Sequence, residues 1–149
     1  DELIGFQGRA FGKSQPKYIT IMLDEDAPKI FGLDSIKWNR PVVIVEGPID
    51  AMFLPNAIAM AGSDSARFNH ESAVYCWDNE PRSAENLKRM ERAVNEGKSI
   101  VIWPEYVEEK DINDMVMAGK DIDEISAIIS NNTFKGLMAK AKLSEWRKI

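Results

Sequence analysis

The chain is poor in the residues that build disulfides and zinc sites. It has one cysteine, Cys76, and one histidine, His70, among 149 residues. A single cysteine excludes a disulfide within the chain and a cysteine-rich zinc module. Cys76 lies inside an apolar stretch, so we expect a buried and unreactive thiol. His70 has no partner at metal-ligand spacing, and we expect it at the surface.

Long apolar runs and an excess of positive charge are also missing. No apolar stretch approaches the length of a membrane span or has the form of a signal peptide, so we expect no membrane partner and a cytoplasmic location. The net charge is −5, whereas nucleic-acid binders are usually basic. Backbone binding would therefore need a local basic patch or a neighbouring domain. Because the first residue is Asp and not Met, we expect a fragment or a processed chain.

Acidic residues that directly follow apolar runs are the most informative feature present. The run VVIV at 42–45 ends in Glu46, and Gly47 and Pro48 lead on to Asp50. This pattern predicts a buried strand that stops at an acid and turns tightly into a helix. In open α/β sheets, ligands bind beyond the carboxyl ends of the strands. A carboxylate at that place is a candidate functional group.

Two further stretches repeat the arrangement, one at 73–80 and a weaker one in which a strand at 99–104 is followed by the acidic segment 110–114. The acids at the three strand ends are Glu46 and Asp50, Asp78 and Glu80, and Asp111 and Asp114. Carboxylates brought together repel one another unless a cation or protons neutralise them. Oxygen ligands without histidine or thiol suit Mg²⁺ or Mn²⁺. Each acid alone could instead cap the helix that follows it, but repeated pairs favour a shared site.

The order of predicted elements indicates an α/β fold with a mostly parallel central sheet flanked by helices. An N-terminal β-hairpin comes first, a loop with a short helix covers 24–36, and helices end the chain. The hairpin strands are predicted at 3–11 and 17–23, the sheet strands at 42–46, 56–62, 73–78 and 99–104, and the helices at 49–54, at 83–97 and in three pieces from 111 onward. We expect the last of these helices to pack on the domain.

At this point the motifs resemble a known family. The segments EGPID at 46–50, DNE at 78–80 and KDIND at 110–114 resemble, in this order, the Toprim domain of primases, topoisomerases and some nucleases. The preceding segments GFQGRAFG, PKYIT and KIFGL resemble the stretch before the Toprim glutamate in bacterial-type DNA primases. The closest likeness is to the catalytic core of primases from T-even-like phages. It implies a primase-type segment at 1–41, a Toprim core at 42–119 and a helical tail at 120–149.

The resemblance also implies roles for individual residues. The implied catalytic residues are Glu46, Asp78 and Glu80. The implied ligands of Mg²⁺ or Mn²⁺ are Glu46, Asp50, Asp78, Glu80 and Asp111. The implied nucleotide- or DNA-binding residues are Arg9, Lys17, Lys29 and Lys110. Glu80 departs from the family, which has an aspartate there. The last acidic position is either Asn113 or Asp114. Solvated surface charge is the alternative for the basic residues.

The implied function is Mg²⁺-dependent synthesis of short RNA primers on a single-stranded DNA template. Such a primase is a nucleotidyltransferase that uses ribonucleoside triphosphates and works with a replicative helicase, in the bacterial host cytoplasm if a phage encodes it. A fragment of this length need not be active alone. The alternatives are a Toprim-type metal-dependent nuclease and a non-catalytic scaffold that binds DNA or protein. A topoisomerase is disfavoured because its nucleophilic tyrosine lies outside the Toprim domain.

Overall fold

Residues 2–60 and 68–149 are described by a computed structural model. The strands in this part of the chain are β1 (Gly5–Arg9), β2 (Tyr18–Met22), β3 (Ile30–Phe31), β4 (Val42–Val45), β5 (Ala57–Met60), β6 (Ala73–Tyr75), β7 (Ser99–Val101) and β8 (Thr133–Phe134). The α-helices are α1 (Pro48–Phe53), α2 (Ala84–Asn95), α3 (Ile112–Met117), α4 (Ile122–Asn131) and α5 (Gly136–Trp146). The last two residues of the strand predicted at 56–62 lie outside the described residues.

The central sheet has six strands in the order β3-β5-β4-β6-β7-β8. The inner strands β5, β4, β6 and β7 run parallel, whereas β3 and β8 pair antiparallel at the two edges. The mostly parallel α/β fold is therefore confirmed. The predicted hairpin is also confirmed, because β1 and β2 pair antiparallel as a separate two-stranded sheet.

Side chains of the inner strands alternate between two apolar layers. Val42 and Ile44 face the layer covered by α2 and α5, and Val45 faces the layer covered by α1, α3 and α4. Both faces of these strands are thus buried, which explains why they read as continuous apolar runs instead of alternating ones. Cys76 lies in the second layer and is buried, as predicted.

The helix predicted at 83–97 is confirmed as α2. The Ser83 hydroxyl accepts a hydrogen bond from the Asn86 backbone N–H, and Gly97 ends the helix with a φ of 77°, which suits glycine. Leu87, Met90 and Val94, which follow one another at spacings of three and four residues, lie on one helix face and are buried. The helix therefore begins and ends where the sequence indicated.

The C-terminal helix packs on the sheet, as expected. Ala139 and Leu143 of α5 are buried in the same layer as α2. The central sheet also takes strands from all three predicted segments, since β3 precedes residue 42 and β8 follows residue 119. The division at 1–41, 42–119 and 120–149 stays a prediction. None of the described helices has the length and hydropathy needed to cross a membrane.

Candidate functional site

The ends of two neighbouring parallel strands bring the first carboxylates together. Glu46 directly follows β4, and Asp78 follows β6, which is its hydrogen-bonded neighbour. The Asp78 backbone N–H donates to Glu46 Oε2 at 2.9 Å. Asp50 lies in the first turn of α1 and is buried. The tight turn through Gly47 thus places Asp50 behind the same sheet edge.

The loop after β7 adds a third acidic position. The Asp111 carboxylate caps α3 and accepts from the Asp114 backbone N–H at 2.8 Å. The next backbone N–H, that of Asn113, donates to Asp50 Oδ1 at 2.8 Å. The helix-capping role that was the alternative for each acid therefore holds for Asp111. The first turn of α3, which Asp111 caps, also contacts Asp50. The choice between Asn113 and Asp114 as the last acidic position stays open.

A cavity of about 540 Å³ lies between this sheet edge and the N-terminal hairpin. Its charged lining combines four carboxylates with three ammonium groups: Glu46, Asp50, Asp78, Asp111, Lys17, Lys29 and Lys110. We call this cavity the carboxylate pocket. The hairpin supplies Lys17, and the segment before β3 supplies Lys29, so the two predicted basic segments face the acids across one space.

Burial and mutual repulsion change the protonation of two of these acids. Burial first, and then the charges of Glu46, Asp50 and Asp111, raise the pKa of Asp78 from 3.8 to about 8. Burial is also the main cause that raises the pKa of Asp50 from 3.8 to about 6, against a lowering by the Asn113 N–H. Both acids thus favour the protonated form far more than an exposed aspartate does.

Two predicted residues adjoin the pocket but do not line it. Glu80 is not among the residues that line the carboxylate pocket; its carboxylate pairs with Lys110 Nζ at 3.3 Å. Arg9 is also outside the lining, and its guanidinium carbon lies 5.4 Å from the centre of the Tyr18 ring. The functional roles assigned to Glu80 and Arg9 stay predictions.

The sequence did not indicate one basic contact to the site. Arg89 of α2 lies 3.4 Å from Glu46 Oε1 and also pairs with Glu85 on its own helix. The second contact is an i,i+4 ion pair on the helix surface, which helical spacing alone explains. The first joins residues 43 positions apart, and no local pattern in the sequence signals it.

The carboxylate pocket suits a hard cation in its chemistry but is not arranged as a finished metal site. Its acids offer oxygen alone, and burial first, with repulsion between the carboxylates second, raises the pKa values of Asp50 and Asp78, so that a divalent cation would favour their ionised forms. Within residues 2–60 and 68–149, no group of three or more His, Cys, Asp or Glu side chains is placed so that it could hold a metal ion. Cation binding would thus require the carboxylates to rearrange.

Comparison with known proteins bears on the origin of this arrangement. No family model matches the chain. The chain is 39% identical over 151 residues to the protein named "DNA primase" of Enterobacteria phage T4, an alignment that covers 97% of this chain. The sequence is thus similar to part of a phage primase. The resemblance to phage primases is thereby confirmed. The chain spans 44% of the length of this relative, so the primase-like sequence corresponds to less than half of that protein.

Proposed function

We propose that this chain is the catalytic part of a DNA primase, which makes short RNA primers on single-stranded DNA from ribonucleoside triphosphates with Mg²⁺ or Mn²⁺. The observation that carries the proposal is the carboxylate pocket, where acids from three strand ends face three lysines in one cavity. The similarity to the T4 protein supports the choice of a primase over a nuclease or a scaffold.

The two kinds of charge in the pocket have separate tasks. Lys17, Lys29 and Lys110 would bind the triphosphate, because ammonium groups offset phosphate charge both in the bound state and during transfer. The proposed cation ligands are Glu46, Asp50, Asp78 and Asp111. A bound Mg²⁺ would polarise the phosphate and lower the pKa of the attacking hydroxyl. Asp78 would release its proton when the cation binds, since ligands bind metals in the deprotonated form.

The acidic net charge limits what this chain can do without help. At −5, the chain as a whole repels the DNA backbone, so attraction has to come from local basic groups such as the pocket lysines. We therefore propose that the remainder of a longer protein supplies much of the template binding, that a replicative helicase is a partner, and that the enzyme acts in the host cytoplasm.

Calorimetry with Mn²⁺ tests the metal site in this chain directly. We expect Asp78→Asn to weaken Mn²⁺ binding at least about tenfold, the loss that even removal of a ligand's hydrogen-bond partner typically causes. The matched control is Asp123→Asn, since Asp123 is exposed on α4 and outside the pocket. Equal Mn²⁺ affinity in the two variants would refute the assignment.

An assay of the longer protein tests the reaction. With single-stranded template, ribonucleotides and Mg²⁺, we expect template-dependent RNA synthesis that Asp78→Asn abolishes and Asp123→Asn leaves intact. Degradation of the template without ribonucleotide incorporation would instead identify the nuclease. Metal binding with neither reaction would leave the scaffold as the explanation.

A further inference from the structure

Glu80 is held on both carboxylate oxygens by groups of the protein. Oε1 lies 3.3 Å from Lys110 Nζ, and Oε2 accepts a hydrogen bond from the side-chain amide of Asn86 at 3.2 Å. Asn86 is buried in the first turn of α2, so its amide is a fixed donor. Each oxygen of Glu80 thus has a partner within the protein, and Glu80 is not among the residues that line the carboxylate pocket.

The backbone around Glu80 is tied to the loop that carries Lys110. The backbone N–H of Asn79 donates to the Lys110 carbonyl at 2.6 Å, and the Glu80 carbonyl accepts from the Ser83 backbone N–H at 2.9 Å. These hydrogen bonds therefore hold the backbones of Glu80 and Lys110 at a fixed distance from each other. Lys110 itself lines the pocket beside Asp78 and Asp111.

We propose that Glu80 is a positioning residue that holds the Lys110 ammonium at the rim of the carboxylate pocket, and that Glu80 is not a ligand of the cation. The role of Lys110 as a triphosphate contact rests on the proposed function. An ion pair this exposed adds little to folding stability, and the proposed effect is to favour those Lys110 rotamers that place its ammonium at the pocket rim. A lysine fixed in this way loses less conformational entropy when phosphate binds.

The length of Glu80 is what makes the arrangement work. Its carboxylate spans from the buried Asn86 amide to the Lys110 ammonium. An aspartate is one methylene shorter and would reach only one of these groups. Because Asn86 is buried and Lys110 is exposed, we expect Glu80→Asp to keep the Asn86 contact and to lose the Lys110 contact, and so not to behave as a conservative replacement.

Binding measurements on the full chain separate the two roles of Glu80. We expect Glu80→Gln to change Mn²⁺ affinity no more than the control Glu105→Gln, an exposed glutamate outside the pocket. The affinity for a ribonucleoside triphosphate should fall by about threefold, the effect of a surface charge contact. Lys110→Ala should reduce it as well, and the double variant should lose no more than Lys110→Ala alone. Loss of Mn²⁺ affinity as large as that in Asp78→Asn would overturn the proposal.

Side-chain dynamics provide a test that needs no ligand. We expect ¹³C relaxation to show an ordered Lys110 side chain in the wild type and a mobile one in Glu80→Ala, with the exposed Lys140 unchanged. Equal Lys110 mobility in both proteins would overturn the positioning role. If the wild type binds neither Mn²⁺ nor triphosphate, the proposed function fails, while this measurement still decides whether Glu80 holds Lys110.

Discussion

Asp78 shows how a site residue can oppose the stability of its own fold. Its carboxyl is packed beside Glu46, Asp50 and Asp111, and burial with their charges raises its pKa to about 8. At neutral pH without a divalent cation, the folded chain keeps a proton that the unfolded chain has released. The site is thus suited to give up a proton in exchange for a cation.

The stability of the metal-free chain should therefore depend on pH. Because the folded pKa of Asp78 is raised from 3.8 to about 8 and that of Asp50 to about 6, the folded state binds more protons between these limits. We expect the free energy of unfolding to fall as pH rises from about 4 to 8. Urea unfolding at a series of pH values in chelator measures this.

Two comparisons identify the groups responsible for this pH dependence. Asp78→Asn should flatten the fall in the free energy of unfolding, whereas Asp123→Asn should leave it unchanged. Added Mg²⁺ should restore stability most at the high end of the range, where the carboxylates are ionised. Stability that rises with pH over this range in the metal-free chain would contradict the raised pKa values.

The residues that sequence could place were those whose position follows from the backbone alone. Glu46 and Asp78 end neighbouring parallel strands, so their meeting follows from topology. The surroundings of Glu80 and Arg89 depend on which way side chains point across gaps between elements. No spacing rule within one element contains that information.

At the scale of elements, Asn79 joins three parts of the fold. Its amide nitrogen donates to the carbonyls of Val107 and Glu109 at 2.8 and 3.2 Å. Its amide oxygen accepts from the indole N–H of Trp146 at 3.1 Å. The end of β6, the loop after β7 and the last turn of α5 are thus connected through one side chain. The spacing between Asp78 and Asp111 depends on this connection.

We expect Asn79→Ala to destabilise the chain by about 2–3 kcal/mol, because three partly buried polar groups lose their partner. Trp146→Phe removes a single donor and should cost about 1 kcal/mol. Urea unfolding gives both values. The control is Asn131→Ala, at an exposed position of α4, which should change stability by less than about 0.5 kcal/mol. A loss in Asn79→Ala no larger than in this control would contradict the joining role.

The elements that sequence analysis missed are the short edge strands. β3 and β8 have two residues each, which is too short for any alternation to be read. β3 falls in 24–36, where a loop with a short helix was expected; a 3₁₀ turn does follow at Leu33–Ser35. β8 lies between two helices that were predicted as consecutive. Both strands pair with edges that β5 and β7 leave open, and Ile30 and Phe134 also pack against the core.

For the molecule as a whole, the central question is how an acidic chain would bind an anionic substrate. The net charge of −5, which counts the pocket acids as ionised, repels nucleic acid at long range, and protons or a cation bound at these acids lessen that repulsion. The lysines of the carboxylate pocket would have to attract the anionic substrate in spite of this repulsion. Binding should thus depend on divalent cations as well as on the lysines themselves.

The salt dependence of single-stranded DNA binding by the longer protein tests this view. Lys17→Ala and Lys29→Ala should each reduce the slope of log K against log salt by about 0.7, the value for one phosphate contact on a single strand. Arg9→Ala should have a smaller effect, because Arg9 is not among the residues that line the pocket. Lys140→Ala, an exposed change on α5, is the control. If Lys140→Ala lowers the slope as much as Lys17→Ala does, the binding reflects overall charge and not the pocket.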